Sequence, residues 1–136
     1  MGCNGANITS TSCTFINNTA SNSGGGVNWW VTNGNITTST FINNSATDAG
    51  AIYWKGVGSI INCSFFYSKS TQLNGIYVNK DLSINGGNGI VHIFVNGTLS
   101  GASIMVLNNE TYYYPPSTNI NLHDKNYKKN LMKTIK

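Results

Sequence analysis

The residues of this 136-residue chain that could perform acid–base or metal chemistry are few and scattered. They are the four carboxylates Asp48, Asp81, Glu110 and Asp124 and the two histidines His92 and His123. Glycoside hydrolysis needs two carboxylates held close together, and lyase chemistry needs a strong base and commonly a calcium cluster. Asp48 and Asp81 occupy non-equivalent positions in the repeat described below. We therefore predict no catalytic residue, no metal site and no cofactor, and we expect the chain not to be an enzyme.

The three cysteines, Cys3, Cys13 and Cys63, are an odd number without Cys-x-x-Cys spacing, which indicates neither a disulfide framework nor a zinc site. Cys13 and Cys63 fall on equivalent positions two repeats apart, about 10 Å if repeats stack as strands, which is too far for a disulfide. We interpret both as small buried apolar residues. His92 lies inside an apolar run and is interpreted as a strand-face histidine.

Aromatic side chains are the other candidate chemistry, because their faces bind pyranose rings. By strand alternation, Trp29 and Trp54 face the interior. Tyr53 and Tyr77 would then form an outward stripe with Asn28. Two interpretations stay open for the outward aromatics: an ordinary surface ladder, which we favour, or a ligand-contact site made by Tyr53, Tyr77 and Trp30.

An internal repeat must position these residues. The segment CTFINNTA at 13–20 returns as STFINNSA at 39–46 and, altered, as CSFFYSKS at 63–70. A second block follows each time, GGVNW at 25–29, GAIYW at 50–54 and NGIYV at 74–78, which gives a period of 24 to 26 residues. Self-similarity at such a period is the signature of a solenoid.

Each period contains two short alternating runs, separated by Gly, Asn and Ser corners, and neither run has helical periodicity. Strands that pair with the same strands of the next turn satisfy this pattern, because equivalent residues then stack about 4.8 Å apart. The sequence therefore predicts an all-β chain that forms a parallel β-helix of about three turns.

Stacking explains the residue types at equivalent positions. We predict an inner aromatic ladder (Phe15, Phe41, Phe65), an aliphatic ladder (Val27, Ile52, Ile76) and an asparagine ladder (Asn18, Asn44) at a corner that tolerates left-handed backbone. Positive φ or close backbone approach is expected at the corner glycines Gly25, Gly26, Gly50 and Gly75. In the third turn, Ser68 interrupts the asparagine ladder and Leu73-Asn74 replaces the glycine pair.

The Phe-x-x-Asn at 15–18 and 41–44, with Gly-Gly-Val at 25–27 and Gly-Ala-Ile at 50–52, resembles the polymorphic outer membrane protein repeat. With its Asn/Thr-rich, arginine-free composition, the chain looks like the adhesin-like surface proteins of methanogenic archaea. The resemblance covers roughly residues 7–86 and weakens in the third turn. It implies a right-handed parallel β-helix, an extracellular or cell-surface location and an adhesive role.

The sequence predicts three regions. Residues 1–86 form the β-helix, and residues 87–122 form a small β appendage that caps it or belongs to an immunoglobulin-like module. Residues 123–136 form a basic, disordered tail. We expect contact with host or neighbouring cell surfaces or with glycans, with a carbohydrate-binding or carbohydrate-cleaving β-helix as the alternative. Open ends would let such a chain associate end to end.

The net charge of +4 comes from the tail, since the lysines and acids of the body cancel. We therefore expect no nucleic-acid partner, and no segment is apolar enough for membrane insertion. Seven Asn-x-Ser/Thr sequons, a mild excess over chance, are candidate glycosylation sites: Asn7, Asn17, Asn35, Asn43, Asn62, Asn96 and Asn109.

Overall fold

The computed structural model describes residues 1–67, 69–70, 75–101, 103–107 and 110–113. Every regular element in this part of the chain is a β-strand. The strands are β1 (Gly2–Ala6), β2 (Thr9–Thr11), β3 (Thr14–Ile16), β4 (Val27–Thr37), β5 (Thr40–Ile42), β6 (Ser45–Ala46), β7 (Ile52–Trp54), β8 (Val57–Ile61), β9 (Ser64–Phe66), β10 (Lys69–Ser70), β11 (Ile76–Val78), β12 (Asp81–Asn85), β13 (Asn88–Gly89), β14 (Val91–Val95), β15 (Thr98–Ser100), β16 (Ile104–Leu107) and β17 (Glu110–Tyr113).

Parallel pairing between successive turns builds a β-solenoid of about three turns, which confirms the predicted parallel β-helix. Gly2 pairs with Asn28, a separation of 26 residues (28 − 2). Val27 pairs with Ile52, a separation of 25 (52 − 27), and Ile52 pairs with Ile76, a separation of 24 (76 − 52). The largest sheet has the order β15-β12-β8-β4-β7-β11-β14-β17-β16, and a second sheet stacks β13-β9-β5-β3.

Equivalent side chains form continuous columns in the core. Phe41 stacks on Phe15 with centroids 4.8 Å apart and on Phe65 with centroids 5.1 Å apart. Val27, Ile52 and Ile76 lie in register on the opposite wall, all fully buried. The columns place like side chains on like, so the apolar area of each turn is buried mainly by its two neighbours.

A polar ladder crosses this core at Asn44, which is fully buried. Its Oδ1 accepts hydrogen bonds from the backbone N–H and the Nδ2 of Asn18, both at 3.1 Å, and its Nδ2 donates to the Phe15 carbonyl at 2.9 Å. Buried amides are tolerated when their polar atoms are paired. The continuation of this ladder at Ser68 lies outside the described residues.

The left-handed corner lies one residue before the asparagine ladder, which corrects the expectation that Asn18 and Asn44 adopt it. Asn17 has φ 56°, Asn43 has φ 54° and Tyr67 has φ 57°. The side chains of Asn17 and Asn43 are joined by a 2.8 Å amide bond on the surface. Asparagine tolerates the left-handed region better than most residues, so the pair Asn-Asn divides two roles: a turn, then an inward hydrogen bond.

The predicted corner glycines act mainly through close approach. Among the described residues 24–26, only Gly24 has a positive φ, at 64°. A side chain at Gly25 would collide with the backbone of Ser45 and Gly50 in the next turn. Glycine is therefore needed at position 25 because two backbones meet there, not because of its own dihedral angles. Leu73-Asn74 lies outside the described residues.

The parallel stack continues past the boundary that the sequence suggested at residue 86. β13, β14 and β15 pair in parallel with β9, β11 and β12. The short turn explains why the repeat hides this continuation, since Ile93 pairs with Ile76 only 17 residues earlier (93 − 76). The appendage is the antiparallel pair β16–β17, which bonds to β14. The tail 123–136 lies outside the described residues.

Candidate binding surface

An aromatic column stands on the outer face of the largest sheet. Asn28, Tyr53, Tyr77 and Phe94 are in register on β4, β7, β11 and β14. The ring centroids of Tyr53 and Tyr77 are 4.9 Å apart and those of Tyr77 and Phe94 are 5.2 Å apart, with planes within 14° and 9° of parallel. Phe94 extends the stripe that the sequence placed at Asn28, Tyr53 and Tyr77. Sequence reasoning missed it because the last turn is shortened.

The stacking limits what this column can bind. Both faces of Tyr77 are covered by its neighbours, and one face of Tyr53 is covered by Tyr77. A pyranose ring packs on the face of an aromatic ring, whereas this column presents mainly ring edges to solvent. Tyr53 and Tyr77 therefore have the geometry of a structural ladder.

Trp30 lies in the neighbouring outward column and is half-exposed. Its Nε1 donates a 2.6 Å hydrogen bond to Asn28 Oδ1, which fixes the orientation of the indole. The Lys55 ammonium, one turn further along, lies 4.1 Å from the ring centroid of Trp30 and 5.6 Å from that of Tyr53. These are cation–π distances. The indole is thus held by an amide at its edge and by a cation on one face.

An open hollow of about 400 Å³ adjoins Trp30 and is lined by Gly2, Cys3, Asn4, Asn28 and Trp30. Asn4 is the residue paired with Trp30 in the first turn. Lys55 belongs to the turn on the other side, so the hollow borders the ring face that Lys55 leaves open. The lining combines one aromatic face with two amides and carries no charged side chain. Such a lining suits a neutral ligand with several hydroxyl groups.

The phenol of Tyr53 contributes a neutral donor to the same face. Burial, together with the nearby Asp48 carboxylate, raises the pKa of Tyr53 above its ordinary value. The hydroxyl therefore stays protonated at neutral pH. Lys55 is the charged group that the structure shows against these aromatic rings.

A second polar cluster joins the last turn to the appendage. The Tyr112 hydroxyl donates to Glu110 Oε2 at 2.8 Å, and His92 Nε2 lies 3.9 Å from the same oxygen. The rings of His92 and Tyr112 are 4.8 Å apart. Burial, and then the Glu110 carboxylate, raises the pKa of Tyr112 well above its ordinary value. Sequence reasoning treated His92 alone, because the antiparallel register that brings Glu110 to it is not visible in the repeat.

The described part of the chain holds no group of three or more His, Cys, Asp and Glu side chains placed to bind a metal. Asp48 lies at a corner next to β6, and Asp81 begins β12. The three cysteines are free thiols. Cys63 is buried, whereas Cys3 and Cys13 are partly buried.

The sequon asparagines lie at several kinds of position. Asn7, Asn17, Asn43, Asn62 and Asn96 are exposed, whereas Asn35 is partly buried. The side-chain nitrogens of Asn43 and Asn96 already donate to Asn17 and Asn79. Asn7 and Asn62 sit on left-handed corners with φ 57° and 54°. Asn109 lies outside the described residues, and glycosylation at these sites stays a prediction.

Comparisons with protein-family models, with curated proteins and with solved structures found no match to this chain. The described residues include no helix long and apolar enough to cross a membrane.

Proposed function

We propose that this chain is a non-catalytic, adhesin-like contact module of a cell-surface protein, and that it binds neutral glycans at the hollow beside Trp30. The observation that carries the proposal is the half-exposed indole of Trp30, oriented by Asn28 and backed by Lys55. The hollow in front of it is lined by amides and glycine. The partner would be the glycan coat of a host or a neighbouring cell.

The physical basis is the division of labour around one ring. A sugar packs its C–H face on the indole, and its hydroxyl groups exchange hydrogen bonds with the amides of Asn4 and Asn28. Lys55 holds the ring from behind, which reduces the side-chain entropy that binding would otherwise cost. A neutral sugar is favoured because the hollow provides no charged side chain to pair with a uronic or sialic acid.

The fluorescence of the three tryptophans offers a direct test. Trp29 and Trp54 are fully buried, whereas Trp30 is 49% exposed. A glycan at the hollow should therefore change the emission of Trp30 alone. The protein is screened on a glycan array, and the best neutral glycan is titrated against the wild type and against the variant Trp30→Ala. We expect this variant to weaken binding by about tenfold or more.

Phe94→Ala is the matched control, because Phe94 is also 49% exposed and lies on the same face away from the hollow. The control should bind as the wild type does. Equal losses in both variants would contradict a site at Trp30. Release of reducing sugar from the bound glycan would overturn the non-catalytic part of the proposal, and no binding to any glycan would overturn the glycan part.

A further inference from the structure

The first turn of the solenoid has one edge without a partner. In each later turn, backbone N–H groups donate to the turn before, as in Asn88 to Cys63, Ser64 to Ser39 and Thr40 to Cys13. Thr14 is the equivalent residue in the first turn, and the described residues contain no earlier strand for it. The same holds on the other sides of the turn for Gly2, Thr9 and Thr19, whose equivalents Asn28, Asn35 and Ser45 donate to the first turn.

The side-chain ladders are open at the same edge. Phe15 stacks on Phe41 with one face only and is only partly buried. Asn44 accepts two hydrogen bonds from Asn18, but the Oδ1 of Asn18 lacks the corresponding rung among the described residues. Ile8 and Cys3 are also only partly buried against the core. This end of the molecule, which we call the first-turn face, thus offers both hydrogen-bonding groups and apolar surface.

The first-turn face lacks the features that usually keep strand edges apart. Lysines, prolines and inward charges are the common protection of an exposed edge. The first charged side chain of the sequence is Asp48, and both prolines lie at 115 and 116. The only charge at this end is the terminal ammonium, which donates to the Gly26 carbonyl at 2.7 Å. A neutral surface of this kind does not repel an identical surface.

The opposite end differs on the side of the aromatic column. There β14 pairs antiparallel with β17, and β17 pairs with β16. The position that a parallel strand from another molecule would take on β14 is therefore occupied by the chain's own hairpin. A head-to-tail filament needs both ends open, whereas a pair joined at the first-turn faces needs only one.

We propose that two copies of this chain associate through their first-turn faces to form a closed, two-fold symmetric dimer. An edge that meets its own copy across a two-fold axis pairs antiparallel, and the open N–H and C=O groups of β1, β2 and β3 supply that pairing. The contact buries the bare face of Phe15 and the partly exposed Ile8. The growth stops at two copies because neither outer end repeats the first-turn face.

The experiment is sedimentation velocity of the full chain over a wide concentration range. The wild type should convert from one to two chain masses without larger species. Thr14→Pro removes an N–H that points to the open edge and, by the pattern of the later turns, cuts no bond to β5. Thr9→Lys places a charge on the first-turn face. Each variant should raise the dimer dissociation constant about tenfold or more.

Ser83→Lys is the matched control, since Ser83 occupies the same outward column as Thr9 several turns away. It carries the same added charge and should dimerise as the wild type does. Circular dichroism checks that each variant is folded, and Thr9→Lys decides the matter if Thr14→Pro is not. A wild-type monomer at every concentration, a series of species beyond the dimer, or equal behaviour of the two lysine variants would each overturn the proposal.

Discussion

The indole rings of Trp29 and Trp54 stack in the core with centroids 5.5 Å apart and planes 11° apart, yet they differ in hydrogen bonding. Trp54 Nε1 donates to the Asp81 carbonyl at 3.0 Å. Trp29 Nε1 is buried without a partner among the described residues. The two rings therefore bury similar apolar surface, while only one of them satisfies its polar atom.

This difference predicts unequal costs for the same substitution. Trp54→Phe removes a donor and leaves a buried carbonyl unpaired, a penalty of about 1–3 kcal/mol. Trp29→Phe removes an N–H that is already unpaired, which offsets part of the lost packing. We expect Trp29→Phe to retain the higher free energy of unfolding in urea titrations. Equal losses would show that water satisfies Trp29.

The asparagine ladder predicts a second asymmetry. Asn44→Ala removes three hydrogen bonds from a fully buried site. We expect a loss of about 2–4 kcal/mol in the free energy of unfolding. Asn18→Ala, the same change in the exposed rung, should cost less than about 1 kcal/mol because solvent replaces its partner. Denaturant titration of the two variants side by side measures the difference, and similar losses would contradict a buried role for Asn44.

Thr38 occupies a corner that suits it poorly. Its φ is 50°, and the residues stacked around it, Ser12, Asn62 and Gly86, have φ 54°, 54° and 72°. A β-branched residue is strained in this region, and asparagine is tolerated better. In unglycosylated protein, Thr38→Asn should raise the free energy of unfolding by about 0.5–1 kcal/mol.

The reverse change at the same corner provides the control. Asn62→Thr should lower the melting temperature, while Thr38→Asn raises it. If Thr38→Asn were neutral or destabilising, the strain assigned to position 38 would be wrong.

Cys63 predicts a loss of stability at alkaline pH. Burial raises the pKa of its thiol from 9.0 to about 11. Between these two values the unfolded chain loses a proton that the folded chain keeps, so stability is full below pH 9 and falls as the pH rises towards 11. At pH 10 the loss should be about 1.4 kcal/mol relative to neutral pH.

Thermal unfolding of wild type and Cys63→Ala from pH 7 to pH 10 measures this loss. The variant should lose less stability over that range, although it starts lower because it leaves a cavity. Parallel curves would mean that the Cys63 thiol is not protected by the core.

The sequence predicts the stacking well because stacking repeats. Phe15, Phe41 and Phe65 recur at the period itself, and period-two alternation places Trp29 and Trp54 inside. The features that it misses do not repeat. Phe94 lies after a shortened turn, and the contact of Lys55 with Trp30 depends on the sideways register between two turns.

Dihedral angles were harder to predict than ladders. Within each Asn-Asn pair either residue could adopt the left-handed conformation, since both are asparagine. Only the backbone shows that Asn17 and Asn43 make the turn, while Asn18 and Asn44 point inward. The hydrogen bond of Tyr112 to Glu110 is likewise set by an antiparallel pairing that nothing in the repeat specifies.

The direction of the backbone bonds also determines how the molecule responds to force. Bonds such as Thr40 to Cys13 and Ser64 to Ser39 join one turn to the next, so they run along the solenoid axis. Tension along that axis loads the bonds of one turn at a time, and each released turn of about 25 residues adds about 80 Å of length. A contact module built in this way yields stepwise under load, and it lengthens before the attachment at its far end is pulled away.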